Sequence, residues 1–335
     1  MKKIKWIGIY ILVQILVLPI LILGLIYYGP YTNIRDLIVT TSMTTMRHQY
    51  FATAFLPEET INQILEDSRP PEIEEEQNLE AINVNADASY TDGIELVDVS
   101  SSTFRGYLLI IDDPRRVKLA TAPRLGVVGA TVPQIVEAND AVAGINACGF
   151  ADDALGTGGI PDGLIISNNE VVTPNEKGWY AFVGFNQNNQ MLVSNGISYY
   201  DIMNKGVRDG CSFGPILVYN GYGVFSSGGG YGLHPRTVIG QRADGTVLFL
   251  VIDGRSTKSL GATLKNAQDI MLQYGALNAF NLDGGASTTM VYDGEIINSP
   301  SDILGERYVP CAWIVTKPIV ETKTEEPKVE EKEAE

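Results

Sequence analysis

Between Asn281 and Met290 one carboxylate, two glycines and three hydroxyl side chains crowd together, in the order Asn281-Leu282-Asp283-Gly284-Gly285-Ala286-Ser287-Thr288-Thr289-Met290. A glycine pair lets the backbone take positive φ and approach a ligand closely, and the amides freed in such a turn can cradle an anion. An isolated Asp-Gly-Gly is usually only a tight turn with polar decoration. This one has a counterpart: upstream, the apolar run Val247–Ile252 leads into Asp253-Gly254-Arg255-Ser256. A continuous apolar run bounded by turn residues reads as a buried strand, and the run ending at Phe280 reads the same way. A helical pattern over Asp269–Tyr274 separates the two. If the strands are parallel neighbours, both end on one sheet edge. Asp253, Arg255 and Asp283 would then share a cleft.

Other chemistries find little support. The two histidines are His48 and His234, and His48 sits in a membrane-proximal stretch. His234 is a candidate acid or base, or a structural hydrogen-bonding group beside Pro235. No convincing Gly-x-Ser-x-Gly elbow offers a strained serine nucleophile. No Gly-x-Gly-x-x-Gly opens a strand–helix unit, and no Gly-Lys-Ser/Thr phosphate loop occurs. A formal net charge of −16 argues against nucleic-acid binding. Much of that charge lies in acidic tracts at Glu72–Glu80 and Glu321–Glu335, read as solvated spacers.

Several phrases occur in a fixed order: Ala143-Gly144-Ile145-Asn146-Ala147-Cys148-Gly149-Phe150, Ile160-Pro161-Asp162-Gly163-Leu164, His234-Pro235-Arg236-Thr237, Leu250-Val251-Ile252-Asp253-Gly254-Arg255, the Asp283 segment, Asn298-Ser299-Pro300 and Gly305-Glu306-Arg307. The set resembles the phosphodiester glycosidase family over roughly residues 95 to 317. It departs at Ala147-Cys148-Gly149, where many members carry Gly-Gly-Phe, and at Ala286, where a third glycine is common.

The resemblance implies hydrolysis of a glycosyl-1-phosphodiester of the N-acetylglucosamine-1-phosphate type. Such a reaction passes through an oxocarbenium-like state, and a phosphodiester leaving group needs little protonation. Asp253 and Asp283 become the candidate carboxylates. Arg236, Arg255 and Arg307 are candidates for the phosphate, which a guanidinium fork fits with paired hydrogen bonds. Each arginine has the alternative of a structural ion pair. Asn146, Asn281 and Ser287, with Gly284 and Gly285, would bind substrate or orient these groups. The same oxygens beside glycine turns also suit calcium or magnesium, although no EF-hand spacing is present.

The elements that must position these residues read as α+β: mixed β-sheets with interspersed helices in one domain over 94–317. Strands are expected at Ile94–Val99, Gly106–Ile111, Val117–Ala122, Trp179–Asn186, Met191–Ser194, Ile216–Tyr219, Val247–Ile252 and Cys311–Val315. Asn188-Asn189 and Asn220-Gly221 read as hairpin turns. Helical patterns lie near Thr131–Asn139, Ser198–Lys205 and Thr263–Tyr274. Two glycine-rich stretches, Gly156–Gly159 and Ser226–Gly232, read as surface excursions or as loops over a cleft.

Before that domain, Trp6–Tyr28 is apolar apart from Gln14. At ~1.5 Å per residue it is long enough for a ~30 Å hydrocarbon layer. Lys2, Lys3 and Lys5 precede it, which places the rest of the chain outside the cytoplasm. Tyr27-Tyr28-Gly29-Pro30 is a poor cleavage site, so an uncleaved single-pass anchor is favoured over a signal peptide. Residues 32–67 read as a helical stalk capped by Thr32 or Asn33, residues 68–93 as an acidic flexible linker, and 318–335 as a disordered tail. Cys148, Cys211 and Cys311 leave open one disulfide plus a thiol, or three buried thiols.

The whole reads as a membrane-anchored phosphodiester glycosidase of envelope polysaccharide or exopolysaccharide. The alternatives are a glycan-binding or assembly module without turnover, and a metal-dependent phosphodiesterase that cleaves the other P–O bond.

Overall fold

The structure is a computed structural model that describes residues 2–45, 48–84, 93–151, 157–173, 177–226, 232–301 and 305–318. Its organising element is the run Val247–Ile252. Val247, Phe249 and Val251 face one hydrophobic core, while Leu248, Leu250 and Ile252 face a second. Burial on both sides explains why the sequence shows no polar alternation there.

This strand is third in a seven-stranded sheet, ordered Ile94–Asp98, Gly106–Ile111, Val247–Ile252, Arg236–Arg242, Ala276–Leu282, Ile216–Tyr219, Tyr222–Gly223. Every pairing in it is antiparallel. The two strands that end in Asp-Gly are therefore not neighbours, contrary to the expectation from sequence. They run parallel to each other with Arg236–Arg242 antiparallel between them, where Arg236 pairs with Ile252 and Thr237 with Leu282. Two strand ends and the start of a third thus meet at one sheet edge.

Two five-stranded antiparallel sheets complete the domain. One holds Glu295–Ile296, Met290–Tyr292, Ala141–Asn146, Cys311–Thr316 and Val117–Thr121. The other holds Glu170–Val171, Ile165–Ser167, Val207–Ser212, Trp179–Asn186 and Met191–Ser198. Inner faces of all three sheets meet in one core, with Phe249 and Phe280 from the first, Ile145 and Trp313 from the second, and Phe185 and Val183 from the third. The helix Leu264–Gln273 covers the outer face of the large sheet through Ala267 and Met271. A capping box starts it, with Thr263 accepting from the Asn266 amide and Asn266 from the Thr263 amide. Val132–Ala138 is closed in the same way by Thr131 and Gln134.

Val207–Ser212 is a strand that its Arg-Asp-Gly composition hid. Arg208 is buried because Asp209 neutralises it and the Val117 carbonyl accepts from its Nη2 at 3.0 Å. Cys148 and Cys311 are paired, and Cys211 is a buried free thiol.

At the N-terminus, Lys2–Tyr28 is one helix, and its stretch Tyr10–Tyr28 is long and apolar enough to cross a membrane. Thr32–Met43, Tyr50–Thr53 and Glu58–Asp67 follow as helices. Tyr31, rather than Thr32 or Asn33, occupies the first cap position, and it makes no side-chain cap bond. Thr40 and Thr41 return their hydroxyls to the Asp36 and Leu37 carbonyls near the helix end. Tyr27, Val39, Ala52, Leu56, Ile61 and Ile64 form a small core of their own.

Residues 68–84, expected to behave as a flexible spacer, are instead tied along the domain. The Gln77 side chain donates to the Met191 carbonyl at 2.7 Å and accepts from the Val193 amide at 2.9 Å. Tyr219 and Asn220 donate to the Glu75 and Glu76 carbonyls, and Ile82 is fully buried. The glycine-rich stretches fall partly outside the described residues, at 156 and 227–231, as do 85–92 and the tail from 319.

Candidate active site

Asp283 stands on a turn held from below by Asn146. The Asn146 amide donates to the Asp283 carbonyl oxygen, while its Oδ1 accepts from Thr237 Oγ1 at 2.8 Å and from the Thr289 amide at 3.1 Å. Asp283 itself donates its amide to the Ala147 carbonyl at 3.0 Å. These bonds join the end of Ala276–Leu282 to the end of Ala141–Asn146, so two sheets fix one carboxylate. The following glycines are required by space and conformation. A Cβ at Gly284 would come within 2.6 Å of the Pro235 carbonyl oxygen. Gly285 has φ +62° and donates its amide to that same oxygen at 3.0 Å.

The turn after Val247–Ile252 presents Arg255 with φ +59°, an unfavourable region for a side-chain-bearing residue. The hairpin Ser256–Ser259 holds it there, and Ser259 Oγ donates to the Asp253 carbonyl at 2.7 Å. Arg236, buried at the start of its strand, donates from Nε to the Ala262 carbonyl at 3.0 Å and from Nη2 to the Gly232 carbonyl at 2.9 Å. Arg307 lies over the Phe150 ring, 4.7 Å from its centroid.

These groups line one cleft of about 990 Å³ that contains Asp283, Gly284, Gly285, Arg236, Arg255, Arg307, His234 and Asn281. Burial pushes the Asp283 carboxyl up to about 6, against the pull of the Ser287 hydroxyl, Arg307, the Gly284 amide and Arg255. The side chain is partly open to the cleft, and water there moderates the effect of burial. Its approach to Ser287 is not a well-aligned hydrogen bond, for Ser287 Oγ is buried without a partner of good geometry among the described residues. Partial desolvation and the neighbouring Arg307 lower the basicity of Arg255, while Asp283 raises it, and the guanidinium keeps its charge. His234 is pushed down to about 3 by burial and by Arg236 and Arg255, and its Nε2 lies 2.6 Å from Thr44 Oγ1. It is a neutral imidazole under ordinary conditions, which removes it as a proton donor.

Asp253 does not line the cleft. It is buried, and its oxygens accept from Asn298 Nδ2 at 2.9 Å and from the Ser299 amide at 3.0 Å. Burial raises its carboxyl, and those two donors lower it. Asn146 and Ser287 are likewise behind the cleft wall. Asn281 does reach it, donating to the Gly214 carbonyl at 2.8 Å with its buried Oδ1 unpartnered among the described residues. Sequence reasoning missed Thr44, Arg69 and Glu72, which line the cleft from the supposed stalk and linker. Only Pro70-Pro71, which stiffens the chain into an extended form, hinted at an ordered segment there.

A hard divalent cation wants several oxygen ligands and a surplus of negative charge. Two carboxylates, Asp283 and Glu72, line the cleft with four arginines, Arg69, Arg236, Arg255 and Arg307, and the described residues contain no group of three His, Cys, Asp or Glu side chains placed for a metal. These donors do not fit such an ion, and no step is derived through one.

Fold and site together define an α+β domain with a cleft in which Arg236, Arg255 and Arg307 gather around Asp283. The family profile described as phosphodiester glycosidase matches residues 139–316, more than half of the chain, and the chain belongs to that family. Over 178 residues it is 32% identical to the SPbeta prophage-derived uncharacterized protein YomE of Bacillus subtilis (strain 168), covering 51% of this chain and 27% of that protein. Over 67 residues, 20% of this chain, it is 37% identical to the N-acetylglucosamine-1-phosphodiester alpha-N-acetylglucosaminidase of Bos taurus, of which this covers 12%. The chain therefore spans only about a quarter or less of the length of these curated relatives. The catalytic domain of the zebrafish enzyme of that name, solved in a form auto-inhibited by its pro-peptide, superimposes with a TM-score of 0.57 at 20% identity. The match covers 70% of this chain and 86% of that one, and at such identity the likeness is one of fold.

Proposed function

We propose that this protein hydrolyses a glycosyl-1-phosphodiester by cleaving the bond between the anomeric carbon and the phosphate oxygen. The observation that carries the reading is the placement of Asp283 beside Arg236, Arg255 and Arg307 in one cleft. The guanidinium groups receive the phosphodiester and stabilise the negative charge that grows on it as the bond breaks. Little protonation of the leaving oxygen is then needed, which suits a cleft where Asp253 is withdrawn from the substrate. Asp283, ionised above about pH 6, faces the developing positive charge at the anomeric carbon and takes a proton from the attacking water. The new C–O bond comes from water, and the phosphate departs as a monoester with all its own oxygens.

A test is hydrolysis of UDP-N-acetylglucosamine and of a simple glycosyl phosphate diester by the purified full-length protein in ¹⁸O-water. Label in the free sugar is expected. Label in the phosphate, with sugar 1-phosphate as product, would replace this reading with phosphodiesterase chemistry. Absence of turnover on any diester, with retained binding, would leave a glycan-binding module.

We further infer that the apolar helix Tyr10–Tyr28 anchors the chain as a single span. The lysines before it place the domain outside the cytoplasm, where phosphate-linked polysaccharides of the cell envelope are the available substrates. Protease added to intact cells should remove the domain. Full protection would overturn that topology.

A further inference from the structure

The cleft continues well past Asp283. Besides the Gly284–Ala286 turn it is lined by Phe213–Ile216, Tyr219 and the stretch Val193–Gly196, and residues 69–73 supply a further part of its wall. A volume of about 990 Å³ lies at the top of the ~300–1,000 Å³ range of small-molecule sites. One sugar and one phosphate would leave much of it unfilled.

This part of the wall is held in place by bonds to the domain. Ile73 packs against the central core, and directly after it Glu75, Glu76 and Gln77 are bonded to Tyr219, Asn220, Met191 and Val193. Tyr219 both lines the cleft and fastens the wall, so the two are one piece of structure. The charged groups on this wall are Arg69 and Glu72. Among the described residues the Arg69 guanidinium pairs with Glu66 at 2.9 Å, an exposed contact of little energy that an incoming phosphate can replace. Ser194, Asn195 and Tyr219 line the same cleft and offer polar groups and an aromatic ring with a polar tip, which suit a sugar ring.

We propose that residues 69–73 are the outer wall of a second substrate subsite, and that Arg69 and Glu72 there bind the sugar phosphate unit next to the one being cleaved. The preferred substrate is then an oligomeric glycosyl phosphate rather than a single capped sugar. This rests on the glycosyl-phosphodiester reading of the cleft.

The test uses full-length protein carrying Asp283→Asn, so that ligand survives the titration and the result is independent of turnover. Calorimetry compares the methyl phosphodiester of N-acetylglucosamine 1-phosphate with an oligomer of four such sugar phosphates. The oligomer should bind about ten-fold more tightly, which is about 1.4 kcal/mol. Adding Arg69→Gln or Glu72→Gln should shrink that oligomer-to-monomer ratio several-fold. Gln77→Ala, which loosens the wall without altering a group that faces the cleft, should shrink it as well.

Equal affinity for the two ligands, no binding of the oligomer, or a ratio untouched by all three substitutions would overturn the subsite. Tighter monomer binding in Gln77→Ala would overturn it too, by making the segment an obstruction. ¹⁸O appearing in phosphate would instead defeat the glycosidase reading while this comparison of affinities stood.

Discussion

Asn146 was expected from sequence to bind substrate or to orient the groups around it, and its bonds in the structure favour the second task, which has a measurable size. The Asn146→Ala change deletes one donor and one twice-used acceptor inside the domain. The Asp283 carbonyl loses its partner, and so does the Thr289 amide. Thr237 retains a longer contact, 3.4 Å to Thr288 Oγ1, and is only partly stranded. Each buried group left without a partner costs about 1–3 kcal/mol. Two such groups, with the small void, give a loss of ~3–5 kcal/mol, a large part of the ~5–15 kcal/mol that holds a domain together. The assay is urea unfolding of the full-length protein in detergent, followed by Trp313. This tryptophan is fully buried and edge-on to Phe185, so its emission reports the shared core. Turnover of the folded fraction should also fall, because the Asp283 turn loses its floor. A destabilisation below about 1 kcal/mol, with KM raised and fold intact, would refute the reasoning and return Asn146 to the substrate.

Three further expectations use the same logic. Asp253→Asn should cost ~2–4 kcal/mol by weakening the charged bonds from Asn298 and Ser299, with kcat per folded molecule reduced less than ~100-fold; a larger drop in a stable variant would restore Asp253 to catalysis. Gly285→Ala must hold an L residue at φ +62° and place a Cβ 3.0 Å from Arg255 Nη2, so a stability loss of ~1–2 kcal/mol and a raised KM are expected, and a neutral outcome in both would contradict the geometry. Asp283 binds its proton more tightly folded than unfolded, so its contribution to stability should fall as pH rises from the ordinary carboxyl value of 3.8 to about 6 and then level off; Asp283→Asn should remove that contribution from denaturation curves recorded across the window, and kcat/KM of the unaltered protein should rise with pH over the same limb.

What the sequence disclosed followed the reach of each interaction. Val247–Ile252 was legible because burial on two faces leaves an unbroken apolar run, and the helix at Leu264–Gln273 because its capping box lies within four residues. The meeting of Asp283 with Arg255 was also visible, although the strand between them was not. Arg236–Arg242 carries Arg, Thr, Gly and Gln in a largely buried strand, and several of its polar groups are matched by distant partners such as Asn146 and Met191. The withdrawal of Asp253 from the cleft was hidden for the same reason. The groups that claim its carboxylate, Asn298 and Ser299, lie 45 and 46 residues downstream. The acidic tract looked solvated, and its glutamate side chains are, yet the backbone carbonyls of Glu75 and Glu76 receive the bonds that fix it. Composition records side chains and is blind to attachment made through the main chain.

The contact between Thr44 and His234 has a geometric consequence. Thr41 also receives the Leu233 amide at 3.0 Å, so the helix Thr32–Met43 is clasped to the rim of the cleft, and the same helix shares its small core with Tyr27 at the end of the apolar span. A slack tether of the 26 residues from 68 to 93 would let a domain roam over roughly 30 Å. Here the span, the helical cluster and the cleft rim form a continuous mechanical frame. With the span in a bilayer, the mouth of the cleft would keep one height and one heading above the lipid. The domain would sweep the membrane plane like a fixed blade, reaching only chains that pass at that level.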